Sequence, residues 1–167
     1  MGRELRRVPP NWEHPERNHY GKKSFQPMFD RHFEDAAKEW KDEFSKWEAG
    51  ERPDWFNRTE SDENLEFWEW ESNPPDRDYY RPWKDEEATW YQVWETVSEG
   101  TPVSPPFETK SELIDYLWHN GDFWDQRRGT GPWSRKSAEE FVNGPGFAVS
   151  FVSDEKGFRS GVEALGD

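Results

Sequence analysis

The sequence predicts a small α+β domain in which about three helices pack with a small antiparallel sheet. Three observations support this fold class. Residues 30–49 have helical hydrophobic periodicity, residues 90–99 alternate like a strand, and two apolar runs near the C-terminus flank a turn sequence. We expect residues 1–29 to form an extended N-terminal arm and residues 30–167 to form a single acidic domain.

The composition limits what kind of protein this is. The chain has 167 residues, no cysteine, 31% hydrophobic residues and a formal net charge of −14. Such values favour disorder, but the 12 tryptophans can each bury a large area, so we expect a core built largely from indole rings. The absence of cysteine excludes a disulfide framework. With no apolar run of membrane-spanning length and no signal-peptide core, we expect a soluble cytoplasmic protein.

The charge is distributed unevenly along the chain. Residues 1–29 carry a net charge of +3, residues 30–99 carry −13, and residues 100–167 carry −4. Because contacts to phosphate need cations, we expect no direct binding of nucleic acid. A basic protein surface is the natural complement of the acidic middle part.

The N-terminal half contains one clear helix between less regular segments. Prolines at positions 9, 10, 15 and 27 interrupt residues 1–29, which predicts a solvated arm or an arm folded over the acidic middle. Asp30 is the expected N-cap of a helix that ends at Gly50. Its apolar stripe consists of Phe33, Ala37, Trp40, Phe44 and Trp47.

The segment from Pro53 to Trp83 combines carboxylates with aromatic residues. Alternation around Phe67 is compatible with a strand, and a helix is less favourable because like charges would repel at three- and four-residue steps. Three interpretations stay open: a solvated loop anchored by tryptophan, a surface that binds a basic partner, or paired carboxylates for glycoside hydrolysis.

The second half of the sequence predicts regular structure. We expect residues 90–99 to form a strand, with a helix over residues 85–95 as the alternative. A turn at Gly100 and a proline-rich extended segment should follow. Thr109 and Glu112 form a capping box for a helix with Leu113, Ile114, Leu117 and Trp118 on its apolar stripe. A flexible basic loop over residues 123–131, a short helix to Val142 and a hairpin around residues 154–157 complete the chain.

No motif for catalysis, metal or cofactor emerges from the residues. The four histidines have no zinc-site spacing, the glycines near Arg127 lack a P-loop pattern, and the serines near the C-terminus have no suitably spaced histidine or acid. We therefore predict a non-enzyme without cofactor or metal. A carbohydrate- or nucleotide-acting enzyme and a virion assembly protein stay as alternatives.

Three stretches carry a family resemblance. They are the central WYQVWETVSEGTPVSPPF from Trp90 to Phe107, the opening MGRELRRVPPNWEHP, and the closing SGVEA from Ser160. These resemble a family of small acidic, tryptophan-rich accessory proteins of bacteriophages and prophages. The resemblance implies no activity, only a context in which the protein acts on host proteins in the host cytoplasm.

Charge and resemblance together predict a phage-type inhibitor of a host nucleic-acid-handling or defence protein, of the anti-CRISPR or anti-restriction kind. Its acidic, aromatic surface would mimic nucleic acid on a partner with a basic surface, possibly a nuclease, without any membrane. The predicted partner-binding residues are Glu60, Asp62, Glu63, Glu66, Trp68, Glu69, Trp70, Glu71, Trp83, Asp85, Glu86 and Glu87.

Overall fold

The computed structural model describes residues 1–54, 56, 65–70, 73–96 and 99–167, and it confirms the α+β class. The chain forms two compact units. The first consists of Met1–Asp30 with Trp83–Asp167, and the second is Arg31–Pro82. The N-terminal segment is therefore part of the larger unit, and the chain does not divide at residue 29 as predicted. Among the described residues, no helix has the length and apolar character needed to cross a membrane.

A three-stranded antiparallel sheet lies at the centre of the first unit. Its order is β4 (Trp90–Thr96), β1 (Gly2–Val8), β5 (Phe147–Ala148). Strand β1 pairs with β4 along its whole length and with β5 through two residues. The prediction of an arm is thus wrong for Gly2–Val8. The charged residues of this segment do not indicate a central strand. In the structure, however, Arg3 and Arg6 are buried and hydrogen-bonded within the fold.

Strand β4 is covered on both faces. Val93 belongs to a core cluster with Leu113 and Phe141, and the next residue, Trp94, belongs to a second cluster with Val8. This confirms the strand over Trp90–Thr96, and residues 97 and 98 of the predicted strand lie outside the described residues. The helix alternative is wrong, because residues 85–87 form only one 3₁₀ turn. After the turn at Gly100, residues 101–107 return along β4, and the N–H of Val103 donates to the carbonyl of Val93 at 2.8 Å.

Three helices follow, and two of them match the prediction. Helix α3 spans Lys110–Asn120 and has the predicted capping box, and helix α5 spans Arg135–Asn143. Trp118 is 38% exposed, so its predicted place on the buried stripe is wrong. The predicted flexible loop is also wrong, because Phe123–Arg128 forms helix α4.

Two hairpins and a short helix complete the first unit. The predicted C-terminal hairpin is confirmed as β6 (Phe151–Asp154) and β7 (Gly157–Ser160), and helix α6 follows over Gly161–Leu165. The other hairpin, β2 (Glu16–His19) with β3 (Lys22–Phe25), lies within the segment that was predicted as an arm.

The second unit is built on helix α1, which spans Phe33–Glu48 and confirms the predicted helix. Its N-cap position is His32, not Asp30. Phe67–Trp70 forms the single helical turn α2, so the strand interpretation of that stretch is wrong. A 3₁₀ turn at Arg77–Tyr79 lies near the end of the unit.

Candidate functional site

The structure separates the predicted partner-binding residues. Glu60, Asp62, Glu63 and Glu71 lie outside the described residues. Glu66, Trp68, Glu69 and Trp70 lie on or beside α2 in the second unit, whereas Trp83, Asp85, Glu86 and Glu87 belong to the first unit. The group around α2 therefore forms a candidate site of its own.

One side of α2 is anchored in an aromatic cluster. Phe67 is only 3% exposed, and its ring centroid lies 5.2 Å from that of Trp40 and 5.6 Å from that of Phe44. Trp70 stacks on Trp47 at 5.7 Å with an interplanar angle of 17°. Because residues three apart lie on the same side of a helix, Phe67 and Trp70 face inward together.

The other side of α2 presents an indole to solvent. Trp68 is 56% exposed, and the exposed carboxylates Glu66 and Glu69 precede and follow it. Glu69 Oε2 accepts a hydrogen bond from the N–H of Glu66 at 2.9 Å, which fixes this carboxylate at the start of the turn. We call Glu66, Trp68 and Glu69 the Trp68 surface. Trp47 Nε1 also donates to the carbonyl of Leu65 at 3.1 Å, which holds the segment before α2 against α1.

The unit around this surface is strongly acidic, with 16 acidic and 8 basic residues in Arg31–Pro82. All of its described carboxylates are exposed. Surface ion pairs hold Glu39 to Arg31, Asp42 to Lys38 and Glu34 to Arg77, at 2.7, 3.0 and 2.9 Å. The hydrogen bond from Arg77 also holds the pKa of Glu34 below its ordinary value, so this group stays ionised at neutral pH.

The aromatic cluster already binds one guanidinium. Arg52 lies 3.5 Å from the centroid of the Trp47 ring and donates to the carbonyls of Trp47 and Glu51 at 2.8 Å. The same residues line a cavity of about 460 Å³ that also includes Glu43. Glu43, Glu51 and Arg52 were not among the predicted site residues, although helical spacing places Glu43 between Trp40 and Trp47. One indole of this unit therefore holds a cationic side chain against its face.

Trp83 does not belong to an exposed surface, so its prediction as a partner-binding residue is wrong. It is 5% exposed and packs edge-on against Trp12 with a centroid distance of 4.5 Å. Asp85, Glu86 and Glu87 do lie on the surface as one acidic 3₁₀ turn. Trp68 and Trp83 both lie in the same acidic, proline-flanked segment, so the sequence does not indicate which of the two indoles is buried.

A second cavity, of about 390 Å³, lies in the first unit and contains the residue types that a hydrolase would need. Asp122 accepts hydrogen bonds from Arg3 Nε at 2.6 Å and from the N–H groups of Trp124 and Asp125 at 2.8 and 3.0 Å. Asp125 accepts from Trp133 Nε1 and Thr130 Oγ1, both at 2.9 Å.

These two carboxylates are engaged as a helix cap and as members of an internal network. A general acid or base must direct its carboxylate to a substrate, so the geometry favours a structural role for Asp122 and Asp125. This network has no local signal in the sequence, because Arg3 and Asp122 are 119 residues apart. Among the described residues, no group of three or more His, Cys, Asp or Glu side chains is arranged to hold a metal ion.

No protein-family model, no curated protein and no solved structure matches this chain. The resemblance to phage accessory proteins therefore stays a prediction. The chemistry of the Trp68 surface and the charge around it are the structural features that bear on function.

Proposed function

We propose that this chain is a non-enzymatic, phage-type accessory protein that binds and inhibits a host nucleic-acid-handling or defence protein, in the manner of an anti-CRISPR or anti-restriction protein. The observation that carries the proposal is Trp68, which is 56% exposed between two exposed carboxylates while the opposite side of its helical turn is buried. A basic protein surface is the partner that this arrangement fits.

Burial of Trp68 at an interface would supply a useful part of the binding energy. The exposed part of the indole is on the order of 100 Å², which corresponds to about 2.5 kcal/mol on complete burial, before the costs of association. Tryptophan is also enriched among the residues that dominate interface energies. The turn is held by the aromatic cluster beneath it, so little backbone freedom would be lost on binding.

The carboxylates supply selectivity for a basic partner. Glu66 and Glu69 would pair with lysine or arginine side chains that otherwise contact phosphates, and the indole would take the place of a stacked base. Arg52 on Trp47 is an example, within this unit, of an arginine that an indole accepts.

The proposal is tested by capture from a bacterial lysate at about 50 mM and at about 500 mM salt, which spans strong and weak screening of surface charge. The tagged chain is compared with Trp68→Ala, with Glu66→Gln/Glu69→Gln, and with the charge-matched control Glu108→Gln/Glu155→Gln. Both control positions are exposed in the first unit. Circular dichroism of each variant checks that it is folded.

We expect a nucleic-acid-binding protein to be retained at low salt by the parent chain and by the control variant, and to be lost with either Trp68-surface variant. Equal capture by all four proteins would contradict the proposed site. Capture of proteins that bind no nucleic acid would contradict the proposed inhibition of a nucleic-acid-handling protein.

A further inference from the structure

The β2–β3 hairpin of the first unit exposes most of its surface. Tyr20 at its tip is 94% exposed, and within residues 16–25 only Arg17 and Phe25 are partly buried. A two-stranded hairpin of this size is at best marginally stable by itself. Its outward side chains therefore contribute little to the folding of the first unit.

The backbone at the tip carries a residue that the turn does not favour. Tyr20 and Gly21 have φ values of +50° and +75°, as in the primed turns of two-residue hairpin loops. Glycine, asparagine and aspartate adopt positive φ readily, whereas a bulky side chain does so at an energetic cost. Since the Tyr20 ring is exposed, packing in the core does not explain why tyrosine occupies this position.

Two lysines follow the exposed ring. Lys22 and Lys23 are exposed at the start of β3, and His19 packs against Tyr20 with a centroid distance of 4.4 Å. The net charge of −14 does not cancel this local positive charge at physiological salt, because the Debye length is only about 8 Å. The tip thus carries an exposed aromatic ring and two exposed lysines within four consecutive residues.

The base of the hairpin is fixed to the first unit. The N–H of Gln26 donates to the carbonyl of Pro15 at 2.9 Å, and Phe25 packs edge-on against His14 with a centroid distance of 5.4 Å. His14 in turn packs against the buried Trp94 at 4.9 Å. The tip is therefore presented from an anchored base.

We propose that the β2–β3 hairpin binds single-stranded nucleic acid, with Tyr20 stacking on a base and Lys22 and Lys23 contacting phosphates. Base stacking on aromatic side chains combined with basic groups along the backbone is how single strands are bound without sequence preference. The inference is independent of the function proposed for the Trp68 surface. It also revises the expectation, drawn from total charge, that the chain makes no direct contact with nucleic acid.

An acidic protein is the rival partner for a basic hairpin. Carboxylates of such a partner would pair with Lys22 and Lys23 but would offer no planar face to the exposed Tyr20 ring. A single strand offers a base for the ring and phosphates for the lysines in one ligand, so the residues favour nucleic acid.

The test is a ¹⁵N NMR titration of the full chain with a 12-mer of thymidylate, a 12-mer of uridylate and a polyglutamate peptide. Tyr20→Asn removes the ring and suits the positive φ of the turn, so the variant should fold at least as stably as the parent. Tyr20→Phe keeps the ring. Lys22→Gln/Lys23→Gln is compared with Lys41→Gln/Lys46→Gln, which removes the same charge from exposed positions of α1.

We expect the oligonucleotides to shift the amide signals of residues 19–23, with similar affinity for the DNA and RNA probes if stacking dominates. Tyr20→Asn should weaken binding roughly tenfold, and Tyr20→Phe should not. Two phosphate contacts on a single strand predict a slope of about −1.4 for log K against log salt, which Lys22→Gln/Lys23→Gln should bring close to zero.

Three results would overturn the inference. The first is the absence of hairpin shifts with either oligonucleotide, and the second is an affinity that Tyr20→Asn leaves unchanged. The third is binding of polyglutamate as tight as that of the oligonucleotides, which would assign the hairpin to an acidic protein.

Discussion

Replacement of Asp122 by alanine tests the internal organisation of the first unit. Asp122 is 1% exposed, and its carboxylate joins Arg3 on the central strand to the N-terminus of α4. Alanine removes the ion pair and both hydrogen bonds to the backbone N–H groups of Trp124 and Asp125. It also leaves the guanidinium of Arg3 buried without its counter-ion.

We expect Asp122→Ala to lower the free energy of unfolding by about 3–4 kcal/mol. Removal of one partner from a buried ion pair costs about 3–5 kcal/mol, and loss of an N-cap costs about 1 kcal/mol. These costs overlap, and Arg3 keeps the carbonyls of Met1 and Gly2 as acceptors at 2.7 and 3.0 Å, which favours the lower half of the range. Asp122→Asn keeps an oxygen for the cap but loses the charge, so we expect about 2–3 kcal/mol.

The assay is urea denaturation followed by far-ultraviolet circular dichroism, with Asp115→Ala on the exposed face of α3 as the control. The control should change the free energy of unfolding by less than about 0.5 kcal/mol. A loss below about 1 kcal/mol for Asp122→Ala would refute the account of a buried pair that joins β1 to α4. Equal losses for alanine and asparagine would show that the charge, not the cap, carries the effect.

Two further predictions concern the first unit. Gly100→Ala should lower the free energy of unfolding by about 2–4 kcal/mol, since a Cβ at φ +65° would lie 2.7 Å from Arg6 Nη2 and 2.9 Å from the Glu95 carbonyl oxygen. Gly129→Ala is the control, because Gly129 has the same φ but no described heavy atom within 4 Å of an added Cβ. It should lower the free energy of unfolding by about 1 kcal/mol. Equal losses of stability for the two variants in urea denaturation would contradict the close approach at Gly100. Burial lowers the pKa of His14 below its ordinary value of 6.5, so on acidification the unfolded state takes up the proton at a higher pH than the folded state does. The free energy of unfolding should therefore fall as the pH decreases below 6.5 towards the folded-state pKa. His14→Gln should reduce this loss in urea denaturation between pH 7.5 and 5.5, and an identical pH dependence in parent and variant would contradict the burial of a neutral imidazole.

Local signals explain which elements were predictable from the sequence. The capping box at Thr109 and Glu112 and the apolar spacing of Leu113 and Leu117 lie within a few residues of each other, so α3 could be assigned correctly. The same holds for α1, whose boundary was missed by a few residues because the N-cap position, His32, makes no side-chain cap hydrogen bond.

Long-range contacts explain what the sequence did not reveal. Strand β1 carries three arginines, and its central place depends on partners far along the chain, such as Asp122 and Ala88. Trp68 and Trp83 lie in similar acidic surroundings in the sequence, yet one is exposed and the other is buried by tertiary packing. The acidic character of the candidate site was therefore predictable, whereas its exposed indole could be singled out only from the structure.

The most direct test of the central claim is a competition measurement on the captured host protein. A labelled duplex nucleic acid, which offers no unpaired base to the β2–β3 hairpin, is bound to that protein, and the purified chain is added at increasing concentration while fluorescence polarisation reports the bound label. The account predicts that the chain displaces the nucleic acid completely and that Trp68→Ala and Glu66→Gln/Glu69→Gln require much higher concentrations. Simultaneous binding of nucleic acid and chain, or displacement that these variants leave unchanged, would contradict it.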